Sequence, residues 1–240
     1  MVEVKGLTKM FGGFAAVDGV SFSVKPGEIY GLLGETGAGK TTTLRMLATV
    51  LVPTSGSATI FGADVVRSQE EARSRIGVLS GEGGVYDRLS ATENVVYFGR
   101  LHGLPEGTIR ARTRVLLEDL GMAEYGSQRA GSFSRGMKQK VAIARSVVHD
   151  PPVLLFDEPT SGLDVTAARV VHEFLLGERL RGKAIILSSH VMAEVEKLCD
   201  RVGVIHRGRL VAEGTVRDLM ARSTAESMEE VFVGLVGEGA

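Results

Sequence analysis

Gly34-Glu35-Thr36-Gly37-Ala38-Gly39-Lys40-Thr41 has the spacing G-x-x-x-x-G-K-[ST], and its flanks give that spacing a meaning. Ile29-Tyr30-Gly31-Leu32-Leu33 before it reads as a short apolar strand, and residues 42–50 after it read as a helix. A strand, a glycine-rich turn and a helix N-terminus gather backbone N–H groups around one point, which is a cradle for phosphate. Glycines 34, 37 and 39 let the loop curl without Cβ clashes. From this loop Lys40 can reach the terminal phosphates of a nucleotide, and the Thr41 hydroxyl can help hold Mg²⁺.

Working outward, residues 2–7 and 17–24 read as strands of an antiparallel layer; Val20, Phe22 and Val24 alternate with Ser21 and Ser23. Phe11 lies between them, placed either to stack on an adenine ring or to pack in that layer. Further strands are expected at 57–61 and 75–79. From residue 92 to 149 the periodicity is helical, with helices at 94–101 and 106–120 and a third starting at or just after Ser134. That third helix buries Met137, Val141, Ala144 and Val148 and leaves its basic residues on a solvated or interface face.

Pro151-Pro152 ends the helical stretch. Val153-Leu154-Leu155-Phe156 is all apolar, as a strand covered on both faces requires. Beyond it the chain alternates between helices at 165–179 and 191–198 and strands at 184–187 and 201–205. A hairpin strand at 210–213 and helices at 216–221 and 226–236 follow. The reading is an α/β P-loop NTPase core, residues 1–80 and 151–222, with an antiparallel β layer. A helical insertion occupies 81–150 and a helical tail 223–240.

The strand at 153–156 delivers Asp157 and Glu158 to the sheet edge where α/β proteins bind ligands. Asp157 is expected to hold Mg²⁺ through water and Glu158 to orient or deprotonate the attacking water. The alternative for the pair is a helix cap or salt bridge. His190, just past another strand, is placed to contact a terminal phosphate, although a lone histidine also serves structure. Asp164 can cap the helix that follows it.

The bulk properties exclude several other classes. With 28 basic and 29 acidic side chains among 240 residues, nothing draws the chain to nucleic acid, and none is expected as a partner. One cysteine, Cys199, leaves no internal disulfide and no multi-cysteine metal site; a small core residue is the simpler account of it. Residues 1–5 lack the pattern of a signal peptide. No apolar run reaches the roughly 18 residues that cross a bilayer, so any membrane part must come from another chain.

These residues together resemble an ATP-binding cassette protein, the ATPase subunit of an ABC transporter. Residues 34–42 match its Walker A motif, placing Gly34, Thr36, Gly37, Ala38, Gly39, Lys40, Thr41 and Thr42 on ATP. Phe133-Ser134-Arg135-Gly136-Met137 matches the signature usually written L-S-G-G-Q, and residues 153–158 match Walker B with its catalytic glutamate. Residues 161–164 match the D-loop, His190 the switch histidine and Phe11 the aromatic A-loop position.

The resemblance covers about residues 2–220, in the family's order. It implies an Mg²⁺-dependent ATPase in which Lys40, Glu158 and His190 are catalytic and Thr41 and Asp157 hold the metal. It also implies two copies, or a copy and a related ATPase subunit, packed head to tail around two ATP molecules. Ser134 and Gly136 of one copy then complete the site of the other, Asp164 of the D-loop is also placed on the nucleotide, and the 81–150 insertion touches a separate multi-spanning permease at the cytoplasmic face of the cell membrane.

Three segments resemble the bacterial sodium-efflux ATPase and its drug-exporting relatives: residues 83–89, 136–140 and 189–200. That makes an exporter the expected role, ahead of another transport direction or lipoprotein release. Soluble ABC proteins of translation usually carry two cassettes and those of repair long coiled coils, neither of which is present here. The chain also departs from the pattern. The family's glutamine after the strand at 76–79 falls near Gly81, so the adjacent Glu82 is expected to meet Mg²⁺ or water in its place, unless it is an exposed turn residue. The signature carries Arg135 and Met137 where glycine and glutamine are usual.

Overall fold

The computed structural model describes residues 1–80, 84–223, 225 and 227–237. It opens with a hairpin of β1 (Val2–Phe11) and β2 (Phe14–Val24), followed by β3 (Ile29–Leu33) and α1 (Lys40–Leu47). β4 (Ser55–Ile60), β5 (Ala63–Asp64), α2 (Gln69–Ser74) and β6 (Ile76–Leu79) come next. The helical stretch holds α3 (Ala91–Leu101), α4 (Glu106–Asp119) and α5 (Arg135–Val147). Then come β7 (Val153–Asp157), α6 (Val165–Leu180), β8 (Ala184–Ser189), α7 (Met192–Leu198), β9 (Arg201–His206) and β10 (Arg209–Thr215). α8 (Val216–Ser223) and α9 (Met228–Gly237) finish the chain.

Two sheets result. The antiparallel one has the order β2-β1-β4-β5; the other runs β10-β9-β3-β8-β7-β6, parallel except for the β9–β10 hairpin. Side chains of the larger sheet alternate between two cores, as the pleat requires. Tyr30, Leu32, Leu155 and Ile186 pack with α1 against the antiparallel sheet. Ile29, Leu154, Phe156, Ile185 and Leu187 pack under α3, α4, α5 and α6. Burial on both faces is why these strands read as unbroken apolar runs.

The differences from the expected elements are local. Phe11 is the last residue of β1 and pairs with Phe14 across a two-residue turn in which Gly12 takes φ 59°. α1 starts at Lys40 because Gly39, at φ 111°, caps it and its carbonyl accepts from the N–H and hydroxyl of Thr43. β5 and α2 are too short to show a period; Asp64 organises the turn between them by accepting from the N–H groups of Val66 and Arg67. α9 buries Met228, Val231 and Phe232 in a third cluster against Leu33, Val195 and Val202. Cys199 is partly buried and packs against two of these clusters, as a small apolar side chain. It lies against Gly31, where a side chain's Cβ would sit 2.8 Å from the sulfur, and burial pushes its thiol pKa up. Among the described residues no helix is long and apolar enough to cross a membrane.

Candidate functional site

β3, β8 and β7 are neighbours, so their carboxyl ends deliver Gly34, His190 and Asp157–Glu158 to one edge of the sheet. The loop after β3 is held by close backbone approach. A Cβ at Gly34 would run into the carbonyl oxygen of Ile205, and one at Gly39 into that of Ala16. Gly37 takes φ 84°. The close approaches at Gly34 and Gly39 and the positive φ at Gly37 favour glycine at all three positions, and the loop leads directly into the N-terminus of α1.

Lys40 is buried and its Nζ donates to the loop's own carbonyls, Gly34 O at 2.6 Å and Glu35 O at 3.0 Å. Burial lowers its pKa; the carboxylates of Glu158, Asp157 and Glu35 act the other way. Thr41 Oγ1 donates to Asp157 Oδ1 at 3.1 Å, joining two segments 116 residues apart. These two side chains are hard oxygen donors in contact. Among the described residues no cluster of three or more His, Cys, Asp or Glu surrounds them. One hydroxyl and one carboxylate beside a phosphate cradle suit Mg²⁺, which takes few protein ligands and completes its shell with water and phosphate oxygens.

Glu158 sits at φ 49° in a left-handed conformation uncommon for a residue with a side chain. His190 Nδ1 is 3.1 Å from Glu158 Oε1; a carboxylate only accepts, so Nδ1 carries the proton in this contact and Nε2 points away from it. Ser188 links the Asp157 carboxylate to the backbone of Glu158. Its hydroxyl donates to Asp157 Oδ1 at 2.5 Å and accepts from the Glu158 N–H at 3.0 Å. Ser188 carries no motif; its one signal in the sequence is a hydroxyl directly after the apolar run 184–187, and folding buries it completely.

The expected signature and D-loop residues cap two neighbouring helices. Ser134 caps α5, its Oγ accepting from Met137 N at 3.2 Å, and Asp164 caps α6, its Oδ1 accepting from Ala167 N at 2.8 Å. The two helix starts touch. A Cβ at Gly136 would stand 3.2 Å from that of Ala167, and the Arg135 guanidinium covers Gly162. Gln139, not singled out in the sequence, donates to Pro159 O at 2.9 Å and fixes α5 to the loop after Glu158. Thr36 is exposed on the loop, and Thr42 follows Thr41 in the first turn of α1. Phe11 is half-exposed, with Lys9 Nζ 5.3 Å from its ring centroid, so it is not a core residue. Gly81 and Glu82 lie outside the described residues.

Comparisons with known proteins identify the family. A family model described as ABC transporter matches residues 17–161. The chain is 46% identical over 225 residues to the ABC transporter ATP-binding protein NatA of Bacillus subtilis, covering 93% of this chain and 92% of that protein. It is 39% identical over 232 residues to the Nod factor export ATP-binding protein I of Ralstonia nicotianae, covering 97% and 72%. A solved ATP-binding subunit of an ABC transporter superimposes with a TM-score of 0.90 at 30% identity, over 98% of this chain and 99% of that one.

Proposed function

Because the chain belongs to the ABC transporter family and is an ATP-binding, ATP-hydrolysing subunit of it, we propose that it powers an exporter. Its work is done as a head-to-tail pair on a separate permease, at the cytoplasmic face of the cell membrane. One observation carries the catalytic part: Asp157 meets Thr41 while the adjacent Glu158 meets His190, at the mouth of the phosphate loop.

Each residue then has a task. The loop N–H groups and Lys40 bind the phosphates, with Lys40 exchanging its two carbonyl partners for phosphate oxygens. Thr41 and Asp157 would hold Mg²⁺, which when bound neutralises phosphate charge. Ser188 orients Asp157. Glu158 aligns a water and takes its proton as the water oxygen bonds to the γ-phosphorus; the bond to the bridging oxygen breaks and ADP leaves with the electron pair. His190 holds Glu158 through Nδ1, and its Nε2 donates to a γ-phosphate oxygen when that nitrogen also carries a proton.

Pairing is supported by what the single chain leaves open. Ser134 Oγ accepts within its own helix, and its proton is uncommitted among the described residues. Val165, next to Asp164, is 87% exposed, an apolar side chain beside the signature and D-loop segments. Permease docking on the helical stretch is supported by an aromatic group there. Tyr86 and Tyr97 are exposed and stack edge-to-face with centroids 5.4 Å apart, and Leu101 is exposed nearby. The export direction rests on the relative whose name includes it.

Two measurements test this reading. Glu158→Gln retains Mg²⁺-ATP binding and loses the proton acceptor, so in sedimentation it is expected to be a monomer alone and a dimer with ATP. A monomer with ATP bound at every concentration would reject self-pairing in favour of a hetero-pair. Tagged full-length chain solubilised from its native membrane is expected to bring down a multi-spanning chain; recovery with ribosomes or DNA alone would reject the transporter role.

A further inference from the structure

The loop after Glu158 and the end of β8 before His190 come from different strands, yet the two functional side chains must meet within 3.1 Å. Glu158 is moreover held at φ 49°, a conformation that persists only when its surroundings over-determine it. Something beyond the strand pairing therefore has to fix one segment against the other.

A carboxylate on the first turn of α7 does so. Glu194 Oε2 accepts from Thr160 Oγ1 at 2.8 Å, two residues past Glu158. The same oxygen accepts from Ser189 Oγ at 3.3 Å, one residue before His190. Ser189 in turn receives the Val191 N–H at 3.0 Å, which fixes its hydroxyl and bends the chain around His190. The other oxygen of Glu194, Oε1, faces His172 Nε2 of α6 at 3.4 Å; that nitrogen is buried and makes no hydrogen bond among the described residues. Glu194 is not a solvated surface acid. Its side chain is 19% exposed and lines a cleft of about 570 Å³ shared with Glu158, Ser161 and His190.

We infer that Glu194 is a positioning residue for hydrolysis: by accepting from Thr160 and Ser189 through one oxygen, it sets the separation and alignment of Glu158 and His190. The inference rests on the proposed roles of those two residues. Its chemistry is simple. A single acceptor shared by two hydroxyls ties their backbones to one point, and His172 closes the opposite side, so the carboxylate has little room to turn. Loss of this tie lets the two segments drift, and misplacement by about 1 Å is enough to slow a reaction that depends on alignment. ATP binding, which depends on the phosphate loop across the site, is untouched.

The test uses the purified full-length chain and compares single-turnover hydrolysis with equilibrium ATP binding. Glu194→Ala is expected to lower the hydrolysis rate about tenfold while the ATP Kd stays within about twofold. Glu194→Gln is expected to keep at least about half the rate, because its amide oxygen can accept from both hydroxyls and its NH₂ can donate to His172 Nε2. In a His190→Ala background, Glu194→Ala is expected to add less than about a twofold loss, since its effect runs through the Glu158–His190 pair.

A full extra tenfold loss in that background, an equal loss with Gln and Ala, or a parallel loss of ATP affinity would each overturn the inference. Should Glu194→Ala not fold, Thr160→Val leaves the carboxylate in place, and an unchanged rate in that variant would overturn it equally. If His190→Ala alone hydrolyses at the wild-type rate, the proposed roles of the site fall and the inference with them. A slow His190→Ala beside an unaffected Glu194→Ala overturns the inference alone.

Discussion

Glu158 shows how much one residue can ask of its neighbours. Its backbone is left-handed, its N–H is held by Ser188 and its carboxylate by His190. Lys40, by contrast, sits inside the loop it belongs to and bonds that loop's carbonyls. This contrast predicts different losses. Lys40→Ala removes a positive charge that meets phosphate in both the bound state and the transition state, so ATP affinity is expected to fall by about tenfold or more. Glu158→Gln and His190→Ala act on the water and on the γ-phosphate as it leaves, and are expected to slow hydrolysis by about a hundredfold or more with binding little changed. Nucleotide titration beside single-turnover rates checks this; equal loss of affinity in all three variants would reject the division.

Among the elements, the junction of α3, α5 and β6 carries a pH dependence. His102 ends α3 and His149 lies just past α5, with rings stacked 3.6 Å apart at 7°. His149 Nε2 lies 3.0 Å from the Ile76 carbonyl and so carries the proton, while its buried Nδ1 finds no partner among the described residues. Burial, and then His102, push its pKa from an ordinary 6.5 down to about 4. The folded protein therefore keeps this ring neutral where the unfolded chain would protonate it. Stability should rise with pH between about 4 and 6.5 and level off above, because the unfolded state binds the extra proton. The contribution is about 1–2 kcal/mol between pH 5 and 7, allowing for the ring's partial exposure. His149→Gln, whose amide can still donate to Ile76, is expected to flatten that window in denaturant titrations at the two pH values. An unchanged pH slope would show that the ring is not the cause.

Across the whole molecule, the helical stretch is joined to the α/β layers by a chain of alternating charges. It starts and ends on one face of α4. Arg112 pairs with Asp150 at 3.1 Å, Asp150 with Lys183 at 2.8 Å and Lys183 with Glu178 at 2.8 Å. Glu178 then pairs with Arg181 at 2.5 Å, and Arg181 with Asp119 at 3.3 Å. Its middle is buried, with the side chains of Glu178 and Lys183 2% and 8% exposed. Breaking a buried pair leaves a charge without compensation, whereas an exposed end contributes little. Lys183→Met should therefore cost about 3 kcal/mol and Asp119→Asn less than about 1 kcal/mol, read as shifts of the denaturation midpoint. Similar small shifts for both would mean that Arg181 alone satisfies Glu178.

The amino-acid sequence by itself determined the parts whose chemistry is written into contiguous backbone. Strand, glycine loop and helix around Lys40, the two-faced apolar strand before Asp157 and the capping aspartate at Asp164 all depend on neighbours within a few residues. Glycine conformations, strand alternation and helix caps are local rules, so the P-loop and the succession of strands and helices were legible without coordinates. The tertiary structure alone decided which distant residues share a site. Ser188 reaches Asp157, Glu194 joins Thr160 to Ser189, and Arg112 and Asp119 clamp α4 to the core; each pairing depends on the order β3-β8-β7 and on which faces the helices cover. No period or motif marks those side chains. They are ordinary serines, acids and arginines until folding brings them together, and where it also excludes water, as at Ser188, a buried polar group must find its partner wherever the sheet has placed one.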